Sequence, residues 1–289
     1  MTKILVLGST GMLGSAVTIA LQANGHEVIT ASRSTGIQFD AVNLHAENLL
    51  RAAGLQKDDY VVNCVGLTKT RIDETSVTSR SLAVKLNIDF PDDLAKAAET
   101  TGVKVIQVAT DCVFSGLSGG YSESSAHDPL DVYGKTKSLG ETPSPAVMHL
   151  RCSLIGPEIG RSSLFFEWVR QQPINALIDG YTNHLWNGLS SHAFGKVVSG
   201  ILDKGLFAAG LQHLVPSNQV AKDELVRLEL AALGRDDVQV NSREAEQAID
   251  RTLRTDRPEF NEQLFLAAGY KKIPTIQEMV LEACLNLPN

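Results

Sequence analysis

Tyr133 and Lys137 stand four residues apart, a spacing that places two side chains on one face of a helix, one turn apart. An ammonium beside a phenol favours the phenolate and can bring its pKa of about 10 toward neutrality. Such a pair moves a proton to or from an oxygen. Upstream, Val105 to Ala109 reads as a buried strand that delivers Thr110-Asp111-Cys112-Val113-Phe114 to its carboxyl end, where open parallel sheets bind ligands. Thr110, Tyr133 and Lys137 therefore form a candidate catalytic set: Thr110 orients a carbonyl or alcohol oxygen, Tyr133 protonates it, and Lys137 lowers the phenol's pKa. Cys112 and Asp111 are further acid–base candidates, and Asp111 and Val113 are candidates for touching a substrate.

A Tyr-x-x-x-Lys alone is a common surface pair; here it follows a glycine-rich turn. Lys3 to Leu7 is a short strand that runs into Gly8-Ser9-Thr10-Gly11-Met12-Leu13-Gly14. A helix is expected next over Met12 to Ala23, and its first amides suit a dinucleotide pyrophosphate. Gly8, Thr10, Gly11, Met12 and Leu13 are thus cofactor candidates. After the second strand stand Ser32, Arg33 and Ser34 with no acidic residue. An acid there would accept from a ribose 2′-hydroxyl, whereas arginine and serine suit a 2′-phosphate, so NADPH is the expected cofactor. Asp40 is either an acceptor for the adenine amino group or a plain turn aspartate.

These groups need a scaffold, and the pattern supplies one. Further strands are expected over His26 to Ala31, Tyr60 to Val65, Val103 to Ala109 and Val147 to Cys152. Helices are expected over Ala46 to Ala53, over Arg80 to Thr100 with a break or kink at Pro91, and from Tyr133 onward. Strand–helix alternation of this kind points to a doubly wound parallel sheet. After about Gly156 the rhythm loosens, with helices over Leu164 to Gln171, Ser191 to Leu202, Lys222 to Leu233 and Thr275 to Cys284, and short strands at Ala176 to Ile178 and Leu211 to Val215. The expected division is a dinucleotide-binding domain over residues 1–155, with some later segments returning to it, and a smaller α/β substrate lobe over 156–289.

In the second half, Asp179 to Gly188 reads as a polar and aromatic loop, in which Asn183 and Trp186 are substrate candidates and Trp186 either stacks on a base or packs on the sheet. Lys69, Arg71 and Arg161 are candidates by charge, each with an ordinary solvated cation as the alternative. The 289-residue chain carries a net charge of −7, which argues against a nucleic-acid surface. No run approaches the roughly 18 apolar residues that span a bilayer, no signal-peptide pattern is present, and no metal-ligand spacing is seen. The cysteines Cys64, Cys112, Cys152 and Cys284 lack paired spacing and are expected to be reduced, as in the cytoplasm.

Several pieces in order carry a resemblance: the glycine turn, Asn63-Cys64-Val65-Gly66, Leu86-Asn87, Thr110 to Gly116, Tyr133-Gly134-Lys135-Thr136-Lys137 with Gly140-Glu141, and Leu150-Arg151. They resemble the extended short-chain dehydrogenases/reductases, and among them the dTDP-4-dehydrorhamnose reductase-like proteins. The resemblance covers about the first 155 residues well. It implies a Rossmann-type domain, NADPH, and reduction of the 4-keto group of a nucleotide-linked deoxysugar. It also implies that Cys64, Val65, Gly66 and Asn87 line the cofactor, that Lys137 holds the nicotinamide ribose, and that Leu154 flanks the nicotinamide; a homodimer is a candidate assembly.

Two alternatives stay open. Related 4,6-dehydratases carry Asp-Glu after the threonine, and Cys112 in place of that glutamate argues against elimination. GDP-fucose synthase, an epimerase–reductase, carries a cysteine at the matching place with a histidine elsewhere, which Cys112 and His184 could imitate; otherwise Cys112 lines the pocket. Relatives of this fold also include a regulatory partner of methionine adenosyltransferase, so a non-catalytic NADP-binding subunit is the reading from outside enzymology.

Overall fold

A computed structural model describes residues 2–43, 45–158 and 164–287. In chain order the elements are β1 (Lys3–Leu7), α1 (Met12–Ala23), β2 (Glu27–Ser32), β3 (Ile37–Gln38), α2 (Ala46–Ala52), β4 (Tyr60–Asn63), α3 (Val77–Val84), α4 (Phe90–Thr101), β5 (Lys104–Ala109), α5 (Val132–Leu139), β6 (Val147–Arg151) and β7 (Leu154–Ile155). The second half adds α6 (Phe165–Arg170), β8 (Leu177–Tyr181), β9 (His184–Trp186), β10 (Leu189–Ser190), α7 (Ser191–Lys204), β11 (Gly210–His213), β12 (Val220–Ala221), α8 (Lys222–Ala232), β13 (Gln239–Arg243), β14 (Ile249–Asp250), α9 (Pro258–Ala267) and α10 (Ile276–Leu285).

Seven strands form one parallel sheet in the order β11-β6-β5-β4-β1-β2-β3. Both faces are covered, so the strands are apolar at nearly every position. Because side chains alternate across a strand, Ile4, Val6, Tyr60, Val62, Ile106 and Met148 pack with α1 and α7 on one face. Leu5, Leu7, Val61, Val105 and Val147 pack with α2 and α4 on the other. The strand order reverses between β1 and β4, which opens a crevice at their carboxyl ends. The Rossmann-type fold expected from the alternation is the fold observed. Two late segments return to the sheet: β11 extends it beside β6, and α7 packs against α1.

The structure corrects the sequence reading in three places. The helix expected over Arg80 to Thr100 is two helices, α3 and α4, joined by a π-helical turn over Lys85–Asp89. Pro91 then falls in the first turn of α4, where its missing N–H costs nothing. The strand expected at Ala176 to Ile178 starts at Leu177 and runs on to Tyr181 as β8, and the loop expected over Asp179 to Gly188 holds the strand β9. Their partners β13, β12 and β14 are distant in sequence, and β12 and β14 are only two residues long, so no local periodicity announces them. Finally, α9 has no counterpart in the sequence reading, although Pro258 at its start and Gly269 beyond its end are the usual punctuation of a helix. Among the described residues no helix is long and apolar enough to cross a membrane.

Candidate active site

The glycine turn is shaped by two close approaches. Gly8 has φ +72°, and a Cβ there would lie 3.2 Å from the Cys64 carbonyl carbon at the end of β4. A Cβ on Gly14 would fall 2.2 Å from the Gly8 carbonyl oxygen, so only glycine lets α1 start this close to β1. Gly11 caps α1 without a side-chain hydrogen bond, which leaves the first amides of the helix to an anion. Thr10 and Gly11 are exposed and Met12 half-buried, while the Leu13 side chain belongs to the core; Leu13 therefore offers a ligand its amide only. This cradle fits a dinucleotide pyrophosphate.

At the far end of the cradle, Arg33 is exposed just past β2. Ser32 is buried, and its hydroxyl accepts from the Ser34 and Thr35 amides (3.2 and 2.9 Å) and donates to the Thr35 carbonyl at 2.9 Å. That hydroxyl is used in a turn and is poorly placed to serve a phosphate. Asp40 accepts from the Val42 amide at 3.0 Å and the Asn43 side chain at 2.8 Å, which is the turn role.

The segment Cys64-Val65-Gly66 follows β4 and is fixed by two asparagines. Asn63 accepts from the Val65 amide at 3.0 Å. Asn87, in the π-helical turn, accepts from the Leu67 amide at 2.8 Å and donates to the Leu67 carbonyl and the Thr136 hydroxyl, both at 3.1 Å. With 1% of its surface exposed, Asn87 spends its side chain on fixing the loop after β4 and has no open face for a cofactor.

The catalytic candidates converge at the end of β5. Thr110 is buried; its hydroxyl accepts from the Cys112 amide at 3.2 Å and donates to the Asp111 carboxyl at 3.3 Å, and it lies near enough to the Tyr133 phenol to favour the phenolate. Asp131 caps α5 by accepting from the Gly134 amide at 2.7 Å, and so sets the first turn that carries Tyr133. Lys137, 8% exposed, donates to the Val108 carbonyl at 2.8 Å. Burial depresses the basicity of Lys137, against the pull of Glu141 and Cys64. Burial, reinforced by Cys112, pushes the Tyr133 phenol up, and Thr110 only partly offsets it. The expectation that Lys137 lowers the phenol is not met by the protein's own groups, because the ammonium is engaged with the strand. A phenol held protonated is nonetheless the form that a proton donor requires.

Other expectations are redistributed. Burial, with Asp111 beside it, pushes the Cys112 thiol up to about 12, so it is a poor base. His184 bonds to the Gln247 carbonyl at 3.0 Å and packs on Tyr181, while the charges that Cys112 feels are those of Asp111, Arg251 and Asp131; nothing pairs the two as acid and base. Val113 is wholly buried with Phe114, Tyr121 and Leu253, so its side chain lines no substrate. Lys69 is tied to Asp131 at 2.8 Å. Asn183 is consumed in two hydrogen bonds to the backbone of Ala245 (2.8 and 2.9 Å). Trp186 is 5% exposed and donates to Ser153 at 2.8 Å, which makes it a core residue and not a base-stacking platform. Leu154 is half-buried in β7 at the edge of the core. Arg161 lies outside the described residues.

Two cations absent from the sequence reading face this site. Arg251 donates to the Phe114 carbonyl at 2.9 Å, and Lys222 lies at the start of α8; both bear on Asp111, whose carboxyl burial holds toward the neutral form. Both come from more than a hundred residues away, and no local pattern marks them. Behind the site, wholly buried Arg151 donates to Glu141, to His213 at 2.9 Å and to His127 at 2.7 Å, beneath the Phe114 ring.

Residues 1–155 match the family model described as the RmlD substrate binding domain. The chain belongs to this family. The matched stretch holds every residue of the glycine cradle and the Thr110–Tyr133–Lys137 set. Curated relatives include methionine adenosyltransferase 2 subunit beta of Bos taurus, 33% identical over 48% of this chain and 41% of that protein. Another is dTDP-4-dehydrorhamnose reductase of Streptomyces griseus, 34% identical over 47% of this chain and 43% of that one. The chain thus spans under half the length of these relatives. In solved structures the RmlD-type fold extends over the whole chain: dTDP-4-dehydrorhamnose reductase of Bacillus anthracis, in complex with NADP, superposes with a TM-score of 0.79 over 99% of this chain and 100% of that one at 16% identity.

Proposed function

We propose that this protein reduces a keto group on a nucleotide-linked sugar, using NADPH. The observation that carries the reading is the convergence of Thr110, Tyr133 and Lys137 at the sheet edge that also carries the glycine cradle. The amides at the start of α1 would hold the pyrophosphate, Arg33 the 2′-phosphate, and Cys64 to Gly66 the nicotinamide side. The bound nicotinamide supplies hydride. Thr110 orients the carbonyl oxygen, Tyr133 donates the proton that this oxygen gains, and Lys137 binds the ribose when a cofactor displaces or shares its bond to Val108. The 4-keto group of a deoxysugar is the preferred substrate, by likeness to the dTDP-4-dehydrorhamnose reductases. The protonated Cys112 thiol weighs against an epimerase–reductase.

The test is NADPH oxidation with dTDP-, UDP- and GDP-linked 4-keto-6-deoxysugars. Turnover with at least one, lost in Tyr133→Phe, supports the reading.

A second reading has its own support in the likeness to methionine adenosyltransferase 2 subunit beta. In that case the chain binds the dinucleotide and a partner protein without turning over a sugar. The intact Thr110–Tyr133–Lys137 set favours the enzyme. Tight NADPH binding with no oxidation across the sugar panel decides for the subunit.

A further inference from the structure

Lys222 is a cation of the second lobe held only by aromatic faces among the described residues. Its ammonium lies 4.5 Å from the centre of the Phe165 ring and 5.2 Å from that of Trp186, and it makes no hydrogen bond or ion pair with the described residues. It still reaches solvent: the wholly enclosed polar atoms without partners lie on His149, Gln212 and Glu229. Its titratable neighbours are Asp111, Glu229 and Cys112, two of which directly follow Thr110. Arg251 bears on the same Asp111 and Cys112 from another segment, and its Nε is already committed to Phe114.

We propose that Lys222, with Arg251, binds an anionic oxygen of the substrate beside Thr110. Aromatic rings can hold an ammonium by its attraction to their faces without satisfying its N–H donors, which leaves those donors for a ligand. Burial raises the Asp111 carboxyl, lifts that of Glu229 to about 9 and the Cys112 thiol to about 12, and lowers Lys222 itself to about 8. Two cations thus converge on one buried carboxyl beside Thr110. Two sources supply the anionic oxygen: the diphosphate of a nucleotide sugar, or a carboxylate on the sugar itself. The inference rests on the nucleotide-sugar reading, which it deepens by naming second-lobe residues that the match over residues 1–155 does not reach.

The test is calorimetric titration of the NADPH-saturated protein with dTDP, UDP, UDP-glucose and UDP-glucuronate. Lys222→Met is expected to weaken binding about 10- to 100-fold, the usual worth of a charged hydrogen bond, with NADPH affinity unchanged; Lys222→Arg recovers part of the loss. A loss seen already with dTDP and UDP assigns the diphosphate, and a loss confined to UDP-glucuronate assigns the sugar carboxylate. Unchanged affinity in Lys222→Met overturns this inference alone, whereas a wild-type protein that binds NADPH and none of the four ligands overturns it together with the nucleotide-sugar reading. If Lys222→Met does not fold, labelling of the wild type with trinitrobenzenesulfonate, read by mass spectrometry, takes its place. Protection of Lys222 by saturating nucleotide sugar supports the inference, and undiminished labelling overturns it.

Discussion

Lys137 donates to the Val108 carbonyl at 2.8 Å, so the ammonium of the Tyr-x-x-x-Lys pair is anchored to the strand that ends in Thr110. This separates the roles of the pair. Tyr133 keeps its proton because its surroundings disfavour the phenolate, and Lys137 stands behind it as a fixed donor.

Tyr133→Phe should therefore reduce kcat about 10²- to 10⁴-fold, the usual contribution of a positioned proton donor, and leave NADPH affinity near normal. Since burial pushes the phenol up, the reduction rate of the wild type should stay flat through neutral pH and fall only on the alkaline side. A fall that begins below pH 7 would show that another group donates the proton.

Gly14→Ala tests the cradle. The added Cβ would sit 2.2 Å from the Gly8 carbonyl oxygen, a backbone atom that cannot move without displacing the turn. NADPH binding, followed by fluorescence, should be lost or weakened more than tenfold, and thermal unfolding should come earlier. Retained affinity would mean that the dinucleotide lies elsewhere.

Asn87→Ala removes three buried hydrogen bonds to Leu67 and Thr136. Leaving those groups unsatisfied should cost about 2–4 kcal/mol in urea unfolding and weaken NADPH binding, although Asn87 touches no ligand. A loss of binding with no loss of stability would assign it a direct contact instead.

Two buried groups set opposite pH slopes. His213 has its pKa lowered to about 4 by burial and by Arg151. The unfolded chain binds the proton first, so stability falls as pH drops from about 6.5 to about 4. Glu229 is lifted to about 9 by burial and by Glu167. Here the folded state holds the proton longer, so stability falls as pH rises from about 4.5 to about 9. Glu229→Gln should remove the alkaline slope and stabilise the protein at pH 8 by a few kcal/mol, since each pH unit climbed in that window costs the wild type on the order of 1.4 kcal/mol. Little change is expected at pH 4. Thermal melts across pH 4–9 measure both slopes; an unchanged slope in Glu229→Gln would show that its carboxyl is ionised in the folded protein.

The sheet and the catalytic set are legible in the sequence because each is local. β1 and β5 are apolar runs stopped by Gly8 and Thr110, and Tyr133 and Lys137 need only one helical turn. What escapes depends on long-range contacts. Trp186 resembles a ligand platform because nothing nearby in sequence shows that Ser153 accepts from its indole. Asn183 looks free because its partner Ala245 is distant. Lys222 and Arg251 look like ordinary solvated cations until the second lobe folds over Asp111.

Asn87 also has a mechanical consequence. It ties the loop after β4 to Thr136 in the helix that carries Tyr133 and Lys137, so the loop and the helix form a single stiff unit. The segment around Arg251 is stitched separately to residues 114–124, by the Arg251 bond to Phe114, by backbone bonds from Asp250 to Gly116 and from Tyr121 to Thr252, and by the Glu123 contacts to residues 255 and 256, so the chain beyond β5 is held to the second lobe along its whole length.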